Sequence, residues 1–298
     1  MRVAWPTFLV IGAYKAGSTT LHHLLGAHPD VFVPERKEPS YFAFVGLSDA
    51  EIAANPIAPL AVTDRSAYER LFDGAGGSTA VGEVSPEYLK SPHAAANIAD
   101  ALPQASLIAV LRNPVERAYS DFLMYRRDGR EPLDDFEAAL DAQDGRRARG
   151  EPTGQYVVTG FYGEQLRRYH DRFGAGSVKV VLTEDLAADR DGVLADLYAH
   201  IGVDPAYRPP DVGDLNRSGV PSSPLVGAAY AARRRLAPVA RRIVPAAVKR
   251  RVDAALQDRL VRPELAPSAR RRLEDVYRAD VELTGDLIGR DLRHWLTA

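Results

Sequence analysis

Short, continuous runs of apolar residues alternate with amphipathic and polar segments along the first two-thirds of the chain. Unbroken apolar runs are typical of strands that are buried on both faces of a parallel sheet. Such runs occur at residues 7–12, 80–84, 106–111 and 177–182, with a shorter extended segment at 30–33. Helical patterns lie between them, notably at residues 18–25 and 92–101. This alternation predicts an α/β fold with three layers, in which helices flank a central parallel sheet.

The remaining segments are less regular. Residues 43–59 contain prolines and are predicted to form a surface excursion, whereas the Arg- and Gly-rich residues 144–154 are predicted to form a mobile loop. Further along, several prolines interrupt a long loop, and helical patterns follow. We therefore predict a single domain over residues 1–298, with an α/β core at 1–204 and a loop followed by C-terminal helices at 205–298.

The composition limits the chemistry. The 298 residues include 38 basic and 40 acidic side chains, and this balance excludes a uniformly basic nucleic-acid-binding surface. Cysteine is absent, which excludes disulfides, cysteine-bound zinc and thiol catalysis and fits a cytoplasmic protein. No apolar run approaches the roughly 20 residues of a membrane helix, so we expect a soluble protein without a transmembrane segment. Met1–Tyr14 has features of a signal peptide, but the candidate site that follows at once favours mature structure.

A glycine-containing loop lies between the first predicted strand and the first predicted helix. It comprises Gly12 to Thr20, and the backbone amides of such a junction form an anion site together with the helix dipole. Gly12 and Gly17 have the spacing of a Walker A loop, but Ser18 follows Gly17 where that pattern has lysine. The lysine is Lys15, inside the loop, where it can reach a bridging or leaving oxygen. The alternative is that Ser18 simply caps a helix.

A second candidate anion site follows the strand at 106–111. Asn113 and Pro114 predict the start of a helix there, so Arg112 lies at the carboxyl end of a parallel strand, where α/β proteins bind ligands. Ser120 lies two helical turns beyond Asn113 on the same face, and Arg112 with Ser120 could hold a phosphate. A surface arginine and a solvated serine are the alternative. A kinase would place an acidic magnesium ligand where Arg112 stands.

Taken in order, these segments resemble the sulfotransferases that use 3′-phosphoadenosine 5′-phosphosulfate (PAPS), in particular the bacterial and heparan-sulfate-type branch. The similar segments lie at residues 8–21, 28–29, 37–42, 82–89, 111–120, 160–169, 182–186, 216–221 and 289–295. No single segment is decisive, but their order and spacing over nearly the whole chain are specific. The resemblance implies a P-loop NTPase-like fold.

The resemblance also implies roles for individual residues. The 5′-phosphosulfate would be bound by Lys15, Ala16, Gly17, Ser18, Thr19 and Thr20. The 3′-phosphate would be bound by Arg112 and Ser120, with Tyr162 near the nucleotide, and the loop that begins with Asn216, Arg217, Ser218 and Gly219 would close over it. Glu38 would be the general base, and Lys15 would stabilise the leaving oxygen. No metal is required in this scheme, because lysine and the helix dipole supply the positive field.

The acceptor side is less defined. Glu83 is a second candidate for the base, and Glu83, Ser85 and Tyr41 are candidate acceptor contacts. Two positions depart from the resemblance: Val84 stands where relatives often carry lysine, and Ser222 stands where they often carry a basic residue. A hydroxylated small molecule, a glycolipid or a carbohydrate is the expected acceptor, with no nucleic acid as partner.

Two other functions remain open from the sequence. A P-loop kinase or nucleotide phosphotransferase is disfavoured by the missing Gly-Lys-Ser order and by Arg112. A non-catalytic polyanion binder could use residues 233–251, which carry eight basic and no acidic side chains. A solvated cationic face or a lid over the cofactor is the favoured interpretation of that tract. Histidine as the base also stays possible, and no histidine pair has metal-ligand spacing.

Overall fold

The structure is a computed structural model that describes residues 5–55, 57–151, 154–210, 218–223, 225–233, 248, 252 and 255–297. The chain divides into two compact units. The first, here called the sheet unit, comprises Met1–Asn113, Phe161–Leu215 and Tyr277–Thr297. The second unit comprises mainly Pro114–Gly160 and Asn216–Val276. The predicted division of a single domain at residue 204 stays a prediction.

A parallel sheet of five strands forms the centre of the sheet unit. The strands are β1 (Phe8–Gly12), β2 (Val31–Phe32), β3 (Ala80–Val84), β4 (Ser106–Leu111) and β5 (Val178–Leu182), in the order β2-β3-β1-β4-β5. Strand β1 is central, since Phe8 pairs in parallel with Gly82 of β3 and with Ser106 of β4. Every residue of β1 and β3 is buried, which explains their unbroken apolar patterns. The predicted α/β fold, with helices flanking a parallel sheet in three layers, is confirmed.

The α-helices that the described residues form as complete elements are mostly short. They are α1 (Ser18–Gly26), α2 (Asp49–Ala54), α3 (Arg65–Glu69), α4 (Glu87–Lys90), α5 (Ala94–Ala101), α6 (Pro114–Arg127), α7 (Phe136–Asp141), α8 (Gln143–Ala148), α9 (Tyr162–Phe173), α10 (Thr183–Ala188), α11 (Arg190–His200) and α12 (Pro267–Ile288). Single 3₁₀ turns occur at Tyr41–Ala43, Ala58–Leu60, Arg70–Phe72, Val158–Gly160, Ala175–Ser177 and Arg293–Leu296. None of the helices in the described part of the chain is long and apolar enough to cross a membrane.

Local sequence explains where several helices begin. Helix α6 begins at Pro114, as its Asn-Pro start predicts. The Ser48 side chain caps α2 and, with Glu51, completes a capping box, so the predicted surface excursion at 43–59 contains a helix. The Asp64 and Asp135 carboxylates cap α3 and α7 in the same manner.

In the second unit, the structure differs from the sequence prediction at residues 144–154. The segment at 144–154, predicted to be a mobile loop, begins within α8, and Arg146 of that helix is buried. The Arg146 guanidinium pairs with both carboxylate oxygens of Glu131, at 2.5 and 2.8 Å, and the Tyr156 hydroxyl donates to the same carboxylate at 2.6 Å. This polar segment therefore begins as a helix, and its Arg146 is held by the buried Glu131, which lies fifteen residues earlier in the chain.

A short antiparallel ladder also belongs to the second unit. Strands β6 (Val220–Pro221) and β7 (Leu260–Val261) pair, with Val220 opposite Val261. This ladder has no recognisable signal in the sequence. Two-residue strands have too few positions to produce an alternating pattern.

Candidate active site

The loop between β1 and α1 has the geometry of an anion-binding site. Lys15 and Gly17 both adopt left-handed backbone, with φ of 65° and 99°, and the helix begins at Ser18. The first amides of a helix lack partners within it, and the helix dipole places positive potential there. At Gly12 a Cβ atom would lie 2.5 Å from the Cβ atom of Leu89, so only glycine fits that position. This geometry agrees with the predicted anion site, and the binding of an anion there stays a prediction.

Two side chains from neighbouring strands fix this loop. The Arg112 guanidinium, after β4, donates to the Lys15 carbonyl at 3.3 Å. The Thr183 hydroxyl, after β5, lies within donating distance of the carbonyls of Ala16 (3.1 Å) and Leu111 (2.9 Å). Arg112 consequently brings a second positive charge to the loop that contains Lys15.

Glu38 lies on the turn that follows β2, and Lys37 connects it to the loop. The Lys37 ammonium lies 3.1 Å from a Glu38 carboxylate oxygen and also contacts the Thr19 hydroxyl of α1. The Glu38 amide donates to the Val84 carbonyl at 3.1 Å, and its backbone is left-handed, with φ of 55°. Its side chain is 37% exposed, so the carboxylate is accessible to a ligand. The structure thus brings Glu38 and the start of α1 together.

Glu83 has the opposite environment, since it is 0% exposed. Its carboxylate accepts hydrogen bonds from the hydroxyls of Ser85 (2.7 Å), Tyr88 (2.5 Å) and Tyr68 (3.3 Å). Burial raises the pKa of Glu83 to about 7, against the lowering effect of those hydroxyl donors, and the Glu38 charge adds to the increase. This carboxyl group can therefore change protonation state near neutral pH.

The other predicted acceptor contacts border the same cluster. The Ser85 hydroxyl accepts from the Ser40 amide at 2.9 Å. Tyr41 is largely buried, and its ring stacks on that of Tyr68 with centroids 4.4 Å apart. Val84, where the resemblance leads one to expect lysine, is 1% exposed. Glu83, Ser85 and Val84 are thus interior residues in this structure.

Tyr162 and Arg112 lie side by side at the end of β4. The Tyr162 hydroxyl donates to the Arg112 carbonyl at 2.9 Å, and the Asn113 amide group donates to the Trp295 carbonyl at 2.9 Å. The Trp295 indole in turn donates to Glu184 at 2.6 Å. The predicted position of Tyr162 next to the nucleotide stays a prediction, although its contact with Arg112 agrees with it.

The remaining predicted residues belong to the second unit. Ser120 is buried on α6, and its hydroxyl contacts that of Ser218. Gly219 packs closely on β7, because a Cβ atom there would lie 2.8 Å from the Val261 carbonyl oxygen. Asn216 and Arg217 lie outside the described residues, as does the basic tract 233–251 except for Arg233 and Val248. A phosphate site that joins Arg112 with Ser120 stays a prediction.

Sequence reasoning assigned no role to four side chains that shape this region, namely Lys37, Tyr68, Tyr88 and Thr183. One of them had a signal: Thr183 directly follows β5, and the carboxyl ends of parallel strands meet at one edge of a sheet. Tyr68 had none, because it reaches Glu83 from a separate helix, α3.

The fold defines a class of protein, the three-layer α/β proteins in which helices flank a central parallel sheet. Within that class, the sequence matches the Sulfotransferase family over residues 6–207, and the chain belongs to this family. The crystal structure of a sulfotransferase from Alicyclobacillus acidocaldarius is similar, with a TM-score of 0.75 and 32% identity. The match covers 99% of this chain and 100% of that one. Family and fold support sulfuryl transfer as the general chemistry.

More distant curated relatives are much longer than this chain. The membrane-associated sulfotransferase kil1 of Dictyostelium discoideum is 30% identical over 117 residues, which are 39% of this chain and 22% of that protein. The human bifunctional heparan sulfate N-deacetylase/N-sulfotransferase 2 is 24% identical over 208 residues, which are 67% of this chain and 22% of that protein. This chain therefore spans about a fifth of the length of these relatives.

Proposed function

We propose that this chain transfers the sulfuryl group of PAPS to a hydroxyl or amine group of a small-molecule, glycolipid or carbohydrate acceptor. The products are the sulfated acceptor and 3′-phosphoadenosine 5′-phosphate, and one proton leaves the acceptor. One observation carries the proposal: Lys37 contacts both Thr19 at the start of α1 and the partly exposed carboxylate of Glu38. The candidate anion-binding loop and the candidate base are therefore next to each other, which supports the proposal.

The chemistry of the loop suits a phosphosulfate. Lys15 and Arg112 provide positive charge, and hydroxyls come from the first turn of α1, at Ser18, Thr19 and Thr20. Cations, hydroxyls and helix-terminal amides all donate to anionic oxygens. PAPS, when bound, supplies a sulfuryl group on a good leaving group, its 5′-phosphate. The proposed assignment of the 3′-phosphate to Arg112 and Ser120, and of the closing loop to Asn216–Gly219, follows from the family resemblance.

The proposed acid–base chemistry uses two side chains of this chain. Glu38 accepts the proton of the acceptor hydroxyl or amine while that group attacks, and a positioned base of this kind contributes typically 10²–10⁴-fold. Lys15 stabilises the negative charge that develops on the leaving phosphate oxygen. The left-handed backbone of both residues fits this assignment, because such conformations cluster at functional sites.

The proposal for the acceptor is broader than that for the donor. The names of the curated relatives include N-sulfotransferases that act on heparan sulfate, so amines are included. Val84 is buried and stands where the resemblance leads one to expect a lysine, so this position provides no positive charge. An acceptor with little negative charge is therefore favoured over a highly sulfated polymer.

The test is transfer of labelled sulfate from PAPS to a panel of phenols, sugars, amines and glycolipids. We expect transfer to at least one class in the presence of EDTA, together with thermal stabilisation by 3′-phosphoadenosine 5′-phosphate. A parallel reaction with magnesium and ATP should give no phosphorylated product. The proposal is wrong if no acceptor is sulfated and the nucleotide does not stabilise the protein.

A further inference from the structure

We infer that the buried Glu83 is a positioning residue, which holds the turn of Glu38 in place through the hydroxyls of Ser85 and Tyr88. This inference rests on the proposed function in so far as Glu38 is the base. Its structural part, the restraint of the turn, is independent of that function. It assigns Glu83 a role other than that of an alternative base.

The first connection runs through Ser85. The Ser85 hydroxyl donates to Glu83 at 2.7 Å and accepts from the Ser40 amide at 2.9 Å. Because a hydroxyl has one proton, donation to Glu83 directs the lone pairs of Ser85 towards Ser40. Ser40 is two residues from Glu38. The Glu83 carboxylate is therefore connected to the turn of Glu38 through a single atom, the hydroxyl oxygen of Ser85.

The second connection runs through Tyr88. The Tyr88 hydroxyl donates a hydrogen bond to Glu83 at 2.5 Å and accepts one from the Phe42 amide at 3.4 Å. Glu83 thus fixes two hydroxyls, and each of them accepts an amide from the segment 40–42. Tyr68 donates to the same carboxylate at 3.3 Å, which completes the set of three donors.

The turn needs such restraint. Glu38 and Ser40 both have a left-handed backbone conformation, with φ of 55° for each. Residues other than glycine rarely adopt this conformation. Two residues of this kind, separated only by Pro39, persist when their surroundings hold them. The hydrogen bonds from Ser40 and from Glu38 to the end of β3 supply that restraint.

A direct catalytic role of Glu83 does not fit its surroundings. The residue is 0% exposed and both carboxylate oxygens are already occupied by protein hydroxyls. The titratable groups that face it are Tyr68 from α3, Tyr88 from α4 and Glu38 from the turn. Burial brings its pKa to about 7, so ionised Glu83, which accepts all three hydroxyls, prevails above neutral pH.

The test compares two buried serines of the sheet unit. Ser85→Ala removes the connection between Glu83 and Ser40. Ser91→Ala is the matched control, because Ser91 also accepts backbone amides, at 3.3 and 3.2 Å, but from His93 and Ala94 at the start of α5. Amide hydrogen exchange of peptides covering residues 38–44 is measured in both variants, together with kcat, KM for PAPS and thermal stability.

We expect faster exchange of the Ser40 amide in Ser85→Ala and a kcat at least about tenfold lower, since small displacements of a reacting group are costly. KM for PAPS should change less than threefold. Ser91→Ala should lose thermal stability but keep kcat and the exchange rate of Ser40. Unchanged exchange at Ser40 in Ser85→Ala overturns the inference even if the chain sulfates nothing, which separates it from a failure of the proposed function.

A second variant tests the charge of Glu83. In the wild type, kcat should rise with pH through about 7 as Glu83 ionises. Glu83→Gln is neutral at every pH, so its kcat should be lower and should lack that rise. An identical rise in the variant would contradict the role of Glu83. If Glu83→Gln does not fold, Ser85→Ala alone decides.

Discussion

At the level of single residues, the turn after β2 and the loop after β1 contain opposite charges with separate proposed roles. Glu38 is exposed enough to meet an acceptor, whereas Lys15 lies in a loop fixed by Arg112 and Thr183. Lys37 contacts both regions. Substitutions at these positions should therefore separate proton removal from stabilisation of the leaving group.

Glu38→Gln should keep the fold and the affinity for the nucleotide but lower kcat by about 10²–10⁴-fold, the usual contribution of a general base. The measurement is steady-state sulfation at saturating PAPS. Glu35→Gln is the matched control, because Glu35 is an exposed acid three residues earlier on the same segment. Full turnover by Glu38→Gln would assign the base elsewhere.

Lys15→Ala should lower kcat by about 10²–10³-fold, the loss that follows removal of one group that stabilises developing charge. Binding of 3′-phosphoadenosine 5′-phosphate, measured by calorimetry, should also weaken. Lys15→Arg should recover part of the binding through its charge and less of the rate through its geometry. Normal turnover by Lys15→Ala would contradict the proposed role of the loop.

At the level of elements, the sequence predicts strands and helices that have a contiguous local pattern. It does not predict contacts between residues that are far apart in the chain. Strands β1, β3 and β4 and the start of α6 were predictable because apolar runs and an Asn-Pro start are local signals. The loop at Lys15–Thr20 was predictable for the same reason. The Glu83 cluster was not, because Tyr68 and Ser40 reach it from separate segments. Helix α8 was missed because the partner of its buried Arg146 is Glu131, which lies fifteen residues earlier on a separate segment.

The buried pair of Arg146 and Glu131 should contribute strongly to the stability of α8. Their side chains are 8% and 1% exposed, and loss of one partner from such a pair typically costs about 3–5 kcal/mol. Arg146→Ala should lower the free energy of unfolding by that amount. Arg149→Ala is the control: Arg149 pairs with Glu151 at 2.5 Å but is 63% exposed, so it should cost less than about 1 kcal/mol. Equal losses in chemical denaturation would contradict this ranking.

At the level of the whole molecule, the net charge of −2 is near neutral. One buried group, Glu83, nevertheless makes the free energy of unfolding depend on pH. The pKa of Glu83 is about 7 in the folded chain and near 4.5 without the fold. Between these values the folded state binds the extra proton, so the contribution of Glu83 to stability is complete below pH 4.5 and is lost as pH rises through 7. The ionised form of Glu83, which the proposed positioning role requires, is thus the form that makes the folded state less stable.

Denaturant titrations at pH 5 and pH 8 should reveal this cost. The difference between 4.5 and about 7 corresponds to about 3 kcal/mol, as an upper bound for one group. The wild type should therefore lose more unfolding free energy between pH 5 and pH 8 than Glu83→Gln does. The same loss in both proteins would show that the carboxyl of Glu83 is not the group responsible.

The position of β1 in the sheet has a consequence for how the protein is made. Ribosomes synthesise the residues from Gly12 to Thr20 before strands β3 and β4, and Phe8 can pair only when Gly82 and then Ser106 have been added. The Thr183 hydroxyl that ties the loop to β5 arrives later still. Pairings between residues that are distant in sequence are slow to form. A nascent chain therefore contains the residues of the loop before that loop can adopt its folded conformation. If the proposed nucleotide site is correct, nucleotide binding requires a completed sheet and cannot guide the earlier steps of its assembly.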